Sequence, residues 1–206
     1  REEFFHHKIV PVLVFSDPAQ GAPAAAALAT GGIPIIEVTL RTEAAWQALT
    51  DIIKAEPEVS VGVGTVLEQE QLERAKDAGA AFAVSPGFDP VLAEHARKLD
   101  LFYLPGVATA SEIMTARRAG YRFLKFFPAS VAGGVSALRG FASPFGDIDF
   151  CPTGGVGPSN LTDYLGLPNV LCVGGSWLAT ADDLIANDWL AIEKKARDAV
   201  TMAAAA

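Results

Sequence analysis

The sequence is poor in basic residues, and it has no long apolar run. It contains 16 lysines and arginines against 24 acidic residues, a formal net charge of −8 at pH 7. Nucleic-acid and anionic-membrane surfaces require clustered basic residues, so we expect neither kind of partner. No apolar stretch approaches the roughly 20 residues of a membrane helix, and no basic segment leads into an apolar run as in a signal peptide. These absences predict a cytoplasmic location.

Only two cysteines and three histidines are present, which limits redox and metal chemistry. Cys151 and Cys172 lie in apolar, strand-like runs, where we expect reduced and buried thiols; the sequence also allows a disulfide between them. No grouping of His, Asp and Glu has the spacing of metal ligands. We therefore expect no metal and no other cofactor, which disfavours a metal-dependent aldolase or hydrolase.

The chain does contain a regular alternation of short β-branched runs and alanine-rich amphipathic stretches. It has 206 residues, half of them apolar, which is enough for one sizeable core. Alternation of this kind is typical of parallel strands joined by crossover helices. Candidate helices cover residues 22–29, 43–55, 68–78 and 111–119, and candidate strands begin near Ile9, Ile33, Glu58, Ala80, Leu101, Arg122, Ile148 and Val170.

Eight such units predict an α/β fold, specifically a closed (β/α)8 TIM barrel that forms a single domain over residues 1–206. We expect its first strand from about residue 9 and a C-terminal helix from about residue 188. An open doubly wound sheet is the alternative. Its Gly-x-Gly-x-x-Gly fingerprint is missing after the first strand, where Ser16-Asp17-Pro18 occurs instead.

The predicted fold also indicates which polar side chains of the strands face the interior of the barrel. Catalytic groups of such barrels lie at the carboxyl ends of the strands, and side chains alternate along a strand. Glu37 and Arg41 share one face of IIEVTLRT, and Lys125 shares a face with Phe123 and Phe127 in RFLKFFPAS. The side chains on the outer face of a barrel strand pack against the helices and should be apolar. We therefore expect the polar side chains of Glu37, Arg41 and Lys125 to face the interior of the barrel.

These residue types point to Schiff-base chemistry on a 2-oxo acid. Desolvation favours the neutral amine of a lysine, which attacks carbonyls. Glu37 would supply the proton transfers, and Arg41 and Thr65 would hold a substrate carboxylate. Three alternatives stay open: a structural ion pair between Lys125 and Glu37, a salt bridge from Arg41 to Glu43, and a T-x-x-E box in which Thr65 caps the third helix.

The seventh and eighth strands end in glycine-rich turns, CPTGGVGPSN and VGGSWL. In barrels, the loops at these two positions often bind phosphate through backbone N–H groups. Gly154, Gly155, Gly175 and Ser176 are therefore candidate phosphate-binding residues. Tight turns that need glycine without any ligand are the alternative.

Seven motifs together resemble the family of 2-dehydro-3-deoxy-6-phosphogluconate (KDPG) and 4-hydroxy-2-oxoglutarate (KHG) aldolases. They are EVTLRT (37–42), GVGTVL (62–67), SPG (85–87), LPGVATASE (104–112), KFFPA (125–129), CPTGG (151–155) and GGSW (174–177). The resemblance implies a homotrimeric class I aldolase that cleaves KDPG to pyruvate and glyceraldehyde 3-phosphate in the Entner–Doudoroff pathway. A preference for KHG or for the 6-phosphogalactonate epimer is the alternative within the family.

The resemblance also implies roles for individual residues. Lys125 corresponds to the Schiff-base lysine and Glu37 to the catalytic glutamate, and Arg41 and Thr65 correspond to the residues around the pyruvate carboxylate. The walls of the pyruvyl site correspond to Pro86 and Phe127, and the phosphate loops to Gly154, Gly155 and Ser176.

The chain departs from the family pattern at two places. Ser130 occupies a position where many members have glutamate, and residues 14–16 lack the basic residue that some members place after the first strand. Two other classes of protein compete with the aldolase: a phosphosugar isomerase or synthase on a similar barrel, and a non-catalytic phosphosugar-binding barrel.

Overall fold

The computed structural model describes residues 7–206, in which strands and helices alternate along the chain. The strands are β1 (Ile9–Leu13), β2 (Ile35–Thr39), β3 (Ser60–Gly64), β4 (Phe82–Val84), β5 (Phe102–Leu104), β6 (Gly106–Val107), β7 (Phe123–Phe126), β8 (Asp149–Pro152) and β9 (Val173–Gly175). The helices are α1 (Gly21–Thr30), α2 (Ala45–Ala55), α3 (Gln69–Asp77), α4 (Pro90–Lys98), α5 (Ala110–Arg118), α6 (Gly134–Ala142), α7 (Leu161–Leu165), α8 (Ala181–Ala186) and α9 (Trp189–Ala204).

Each predicted strand corresponds to an observed one, and the starting residues agree closely. The first strand begins at Ile9, as expected, and the largest difference is at the last, which begins at Val173 rather than near Val170. The fifth predicted strand is divided into β5 and β6 by Pro105. The last helix begins at Trp189, next to the expected residue 188.

The strands pair in parallel and form two hydrogen-bonded sheets. One sheet has the order β5-β4-β3-β2-β1-β9, and the other has the order β6-β7-β8. Single parallel bridges, Phe150 to Val170 and Thr153 to Gly174, connect β8 with the segment that leads into β9 and with β9 itself. The predicted α/β class with parallel strands is confirmed.

Pro105 divides the fifth strand and produces one of the two gaps between the ladders; the other gap lies between β8 and β9, which only single bridges connect. The carbonyl of Leu104 accepts from the backbone N–H of Ser85 in β4's sheet, whereas the carbonyl of Pro105 accepts from the N–H of Lys125 in β7. Proline has no N–H to donate. The chain therefore changes its pairing partner at this residue, and the strand that the sequence predicts as one element becomes two.

Alanine-rich helices approach the sheets and one another closely. Ala24, Ala25 and Leu28 of α1 are fully buried, and a Cβ atom on Gly31, just after α1, would lie 2.4 Å from the Cβ of Ala196 in α9. Small side chains occupy little volume at a helix–helix interface, so α9 can pack close to α1. Among the described residues, no helix combines the length and apolarity needed to cross a membrane.

Candidate active site

Lys125 and Glu37 form a buried ion pair at the centre of the candidate site. The Nζ of Lys125 lies 3.0 Å from Oε1 and 3.3 Å from Oε2 of Glu37. The two residues are only 4 % and 3 % exposed, although 88 positions separate them in the sequence. The fold thus brings together the two residues that the sequence predicts as nucleophile and base.

The alternation of side chains along β7 places Lys125 in the interior. Phe126, its neighbour in the sequence, packs edge-to-face on Phe141 of α6 with ring centroids 6.1 Å apart. Lys125 therefore points away from the helix layer, and its Nζ lies 5.4 Å from the ring centroid of Phe127. An aromatic face attracts a nearby ammonium group. The predicted inward orientation of Lys125 agrees with these contacts.

A buried ion pair such as this one contributes little net stability to a fold. Desolvation of two charges offsets much of their mutual attraction, so apolar residues of similar volume are often as stabilising. Removal of one partner costs about 3–5 kcal/mol because the other charge is left unpaired. Apolar side chains would fill this part of the core at a smaller desolvation cost. The ion pair instead holds an amine beside a proton acceptor.

Arg41 and Thr65 meet at the carboxyl ends of β2 and β3. The Nε of Arg41 donates to Oγ1 of Thr65 at 3.2 Å. The described chain has no ion pair between Arg41 and Glu43, so that alternative is wrong. A guanidinium carries five N–H donors, and the bond to Thr65 engages one of them, which suits Arg41 to bind a substrate carboxylate beside the threonine hydroxyl.

Thr65 has an unusual backbone conformation. Its φ is 62°, in the left-handed region, which is a genuine outlier for a β-branched residue. Such conformations cost on the order of 1–3 kcal/mol and cluster at functional sites. The conformation turns the chain at the end of β3, and the Thr65 hydroxyl thereby reaches Arg41.

Thr65 does not cap α3, so the predicted T-x-x-E box is wrong. The N-cap of α3 is Glu68, and the side chain of Gln71 accepts hydrogen bonds from the backbone N–H groups of Leu67 and Glu68. The capping box thus lies three residues further along the chain than the sequence pattern suggests. The Thr65 hydroxyl is consequently available for the contact with Arg41.

Pro86 is held in a tight turn at the end of β4. The hydroxyl of Ser85 donates to the carbonyl of Gly87 at 2.7 Å and is hydrogen-bonded to the Tyr103 hydroxyl at 2.6 Å. Burial raises the pKa of Tyr103 to about 12, so its phenol stays protonated as a donor. A Cβ on Gly106 would lie 2.2 Å from the carbonyl oxygen of Pro86. Neither Ser85 nor Tyr103 was assigned a role from the sequence.

The loops after β7 and β8 lie side by side and contain the first glycine pair. Gly154 and Gly155 have φ values of 95° and 76°, which favour glycine. The backbone N–H of Ser130 donates to the carbonyl of Gly154 at 3.0 Å, and a Cβ on Gly155 would lie 2.2 Å from Oγ of Ser130. A side chain at position 155 would therefore overlap Ser130.

The second glycine pair, Gly174 and Gly175, forms the end of β9, which pairs with β1. A Cβ on Gly175 would overlap the ring of Trp177, and one on Gly174 would lie 2.2 Å from Oγ1 of Thr153. Ser176 and Ser16 line a common cavity of about 350 Å³, together with Val14 from the end of the first strand. The cavity places Ser176 where a ligand can reach its hydroxyl.

Other titratable groups of the interior do not form a metal site. The thiols of Cys151 and Cys172 are free and buried. A hydrogen bond involving Cys151, and complete burial, raise the pKa of the Cys172 thiol well above its ordinary value. Within residues 7–206, no group of three or more His, Cys, Asp or Glu residues is arranged to hold a metal ion.

The chain is similar to known proteins over nearly all of its length. The family model described as KDPG and KHG aldolase matches residues 2–195. The "KHG/KDPG aldolase" of Escherichia coli K12 is 48% identical over 192 residues, which cover 93% of this chain and 90% of that protein.

Two solved structures share the fold. A Legionella pneumophila KDPG aldolase, with pyruvate captured at low pH as a covalent carbinolamine intermediate, has a TM-score of 0.93 and 39% identity over 95% of both chains. A Zymomonas mobilis 2-keto-3-deoxy-6-phosphogluconate aldolase with 3-phosphoglycerate has a TM-score of 0.91 and 42% identity, over 96% of this chain and 93% of the other.

Proposed function

Because this chain belongs to the family of KDPG and KHG aldolases, we propose that it cleaves KDPG to pyruvate and glyceraldehyde 3-phosphate by class I, Schiff-base chemistry. The observation that supports this most directly is the buried contact of 3.0 Å between Lys125 Nζ and Glu37 Oε1. It brings a nucleophilic amine and a proton acceptor together at one buried position of the fold. Cleavage of KDPG is a step of the Entner–Doudoroff pathway.

Lys125 acts as the nucleophile in this mechanism. A proton moves from its ammonium group to the Glu37 carboxylate, and the neutral amine attacks the C2 carbonyl of the sugar acid. Protonated Glu37 then gives its proton to the hydroxyl group of the carbinolamine, which leaves as water. This step produces a protonated imine that withdraws electrons from C3 and restores the Glu37 carboxylate.

Glu37 then serves as the general base and general acid. Its carboxylate takes the proton of the C4 hydroxyl while the C3–C4 bond breaks, and the electron pair passes into the imine to form an enamine. Glyceraldehyde 3-phosphate leaves. Protonated Glu37 gives this proton to C3 of the enamine, and water hydrolyses the resulting imine to release pyruvate and regenerate the Lys125 amine.

Arg41 and Thr65 bind the carboxylate of the sugar acid throughout the cycle. Their contact at 3.2 Å holds both groups beside the carboxyl ends of β2 and β3. Pro86, at the end of β4, and Phe127, at the end of β7, form the walls around the pyruvyl group. Fixed orientation of this kind supplies a large share of the rate in reactions of bound substrates.

The phosphate of the substrate binds at the glycine-rich turns, through the backbone N–H groups of Gly154, Gly155 and Gly175 and the hydroxyl of Ser176. Residues 127–133, 153–160 and 174–180 contain no lysine or arginine. Backbone and hydroxyl donors therefore replace a cationic side chain in these loops.

We infer that the two sheets form one (β/α)8 barrel and one domain, because β5 and β6 are consecutive apart from Pro105 and single bridges connect β8 with β9. The family resemblance further suggests a homotrimer in the cytoplasm. Sedimentation analysis of the purified chain tests the trimer.

Incubation with pyruvate and borohydride, followed by peptide mass mapping, tests the proposed function. We expect a reduced pyruvyl adduct on the peptide that carries Lys125. A folded protein that stays unmodified would favour the phosphosugar isomerase or the phosphosugar-binding barrel. Pyruvate release from KDPG, its 6-phosphogalactonate epimer and KHG then ranks the three candidate substrates.

Replacement of Thr65 separates its role in binding from its cost in stability. We expect Thr65→Gly to raise KM for KDPG by about tenfold to a hundredfold, because a hydrogen bond to a charged carboxylate is lost. The melting temperature should stay the same or rise, since glycine adopts a φ of 62° without strain. Steady-state kinetics and thermal denaturation measure the two effects.

Thr65→Ser is the matched control because it keeps the hydroxyl. We expect its KM to stay close to that of the unmodified protein. An unchanged KM in Thr65→Gly would remove the hydroxyl from substrate binding.

A further inference from the structure

Gly64, the last residue of β3, lies against the side chain of Glu37. β3 pairs with β2 in the register Glu37 to Gly62 and Thr39 to Gly64. A Cβ atom built on Gly64 would lie 2.0 Å from Glu37 Oε1 and 2.6 Å from both Cδ and Cγ of that residue. The Glu37 carboxylate therefore occupies the space that any other residue at position 64 would fill.

Backbone conformation does not explain the glycine. The φ of Gly64 lies outside the left-handed region that Gly154 and Gly155 adopt, so an alanine would fit its backbone. The three atoms nearest to a Cβ at this position all belong to the Glu37 side chain. A side chain added at position 64 would therefore first contact the Glu37 side chain.

Gly62, on the same face of β3, has a different role. A Cβ there would lie 2.2 Å from the ring of Phe82, which is almost fully buried in the core. Gly62 thus leaves space for the ring of Phe82, and Gly64 leaves space for the Glu37 carboxylate that contacts Lys125.

We propose that Gly64 is a positioning residue that holds open the space from which Glu37 reaches Lys125. This inference rests on the proposed function, in which Glu37 transfers protons at the imine. A methyl group at position 64 moves the carboxylate away from Nζ, and the moved carboxylate no longer lies at C3 or at the C4 hydroxyl. We expect the hydrogen bond between Arg41 and Thr65, which holds the substrate carboxylate in the proposed function, to be retained.

Two partial reactions of pyruvate separate the roles of Lys125 and Glu37. Borohydride trapping at equilibrium reports the imine on Lys125. Exchange of the pyruvate methyl protons with deuterated water reports removal and return of a proton at C3, which needs Glu37. For Gly64→Ala we expect exchange to slow by about a hundredfold, within the range of a lost general base, while the trapped adduct still forms and KM for pyruvate changes by less than about threefold.

A double-mutant cycle shows whether Gly64 acts through Glu37. In a Glu37→Ala background the side chain that the methyl group displaces is absent, so adding Gly64→Ala should change neither the exchange rate nor the melting temperature. Contacting residues give such non-additive effects, whereas independent residues do not. Gly140→Ala is the control, because a Cβ at that position of α6 meets no atom within 4 Å.

Each outcome of the cycle decides the inference. Slow exchange in Gly64→Ala with no further effect in the Glu37→Ala background supports it. Exchange close to that of the unmodified protein, or equal losses in both backgrounds, overturns it. If Gly64→Ala does not fold, recovery of folding in the double variant supports the inference and continued misfolding overturns it. Absence of a trapped adduct in the unmodified protein would instead contradict the proposed function.

Discussion

Lys125→Met should abolish reductive trapping of pyruvate and lower kcat for KDPG by at least about 10⁴-fold, as expected for the removal of a catalytic nucleophile. Methionine fills a similar volume but has no amine, so neither a carbinolamine nor an imine forms. Mass mapping of the borohydride-treated variant and the rate of pyruvate release from KDPG measure the two losses.

Folding must be controlled in this variant, because methionine leaves the Glu37 carboxylate buried without its partner. Loss of one member of a buried pair costs about 3–5 kcal/mol. The double variant Lys125→Met/Glu37→Gln removes both charges and should recover most of that stability while staying inactive. Lys54→Met, at an exposed lysine of α2, is the control for labelling specificity. An adduct that persists in Lys125→Met would place the imine on another lysine.

Glu37→Gln should lower kcat by about 10²–10⁴-fold, the usual contribution of a general acid or base. The amide keeps the size of the side chain, and its oxygen still accepts from Lys125 Nζ, but it cannot take a proton from the C4 hydroxyl. Trapping of pyruvate on Lys125 should remain detectable at long incubation. Stopped assays of pyruvate release and timed borohydride quenching measure the two steps.

The combination of slow turnover and persistent trapping distinguishes the roles of the two residues. Loss of trapping in Glu37→Gln would mean that Glu37 is needed to form the imine as well as to cleave the bond. Turnover equal to that of the unmodified protein would remove Glu37 from the mechanism and leave the ion pair as a structural feature.

The two central residues of the site could be predicted because side-chain direction along a strand is a local property. Phe126 packs on α6 and Lys125 points the other way, as alternation in RFLKFFPAS requires. The same argument applied to IIEVTLRT identifies Glu37, but it is wrong for Arg41, which lies in the turn beyond β2 and is exposed. Residue type then limits the chemistry, since an amine and a carboxylate in an apolar interior suit imine formation and proton transfer.

Local patterns failed where contacts between distant segments decide the conformation. Thr65 matches a helix cap in sequence, but the structure places the cap at Glu68 and turns Thr65 into the left-handed region beside Arg41. A predicted fifth strand is divided at Pro105 because the flanking carbonyls pair with different sheets. Neither result can be read from the residues nearest in the sequence.

The sequence by itself determined the α/β class, the order of strands and helices, and the lysine and glutamate that face one interior, because periodicity and residue type are properties of short segments. Only the tertiary structure decided that the two groups lie 3.0 Å apart and that Gly64 leaves space for the Glu37 carboxylate. Distances between atoms of separate strands depend on how those strands pair and twist, and no short segment contains that information.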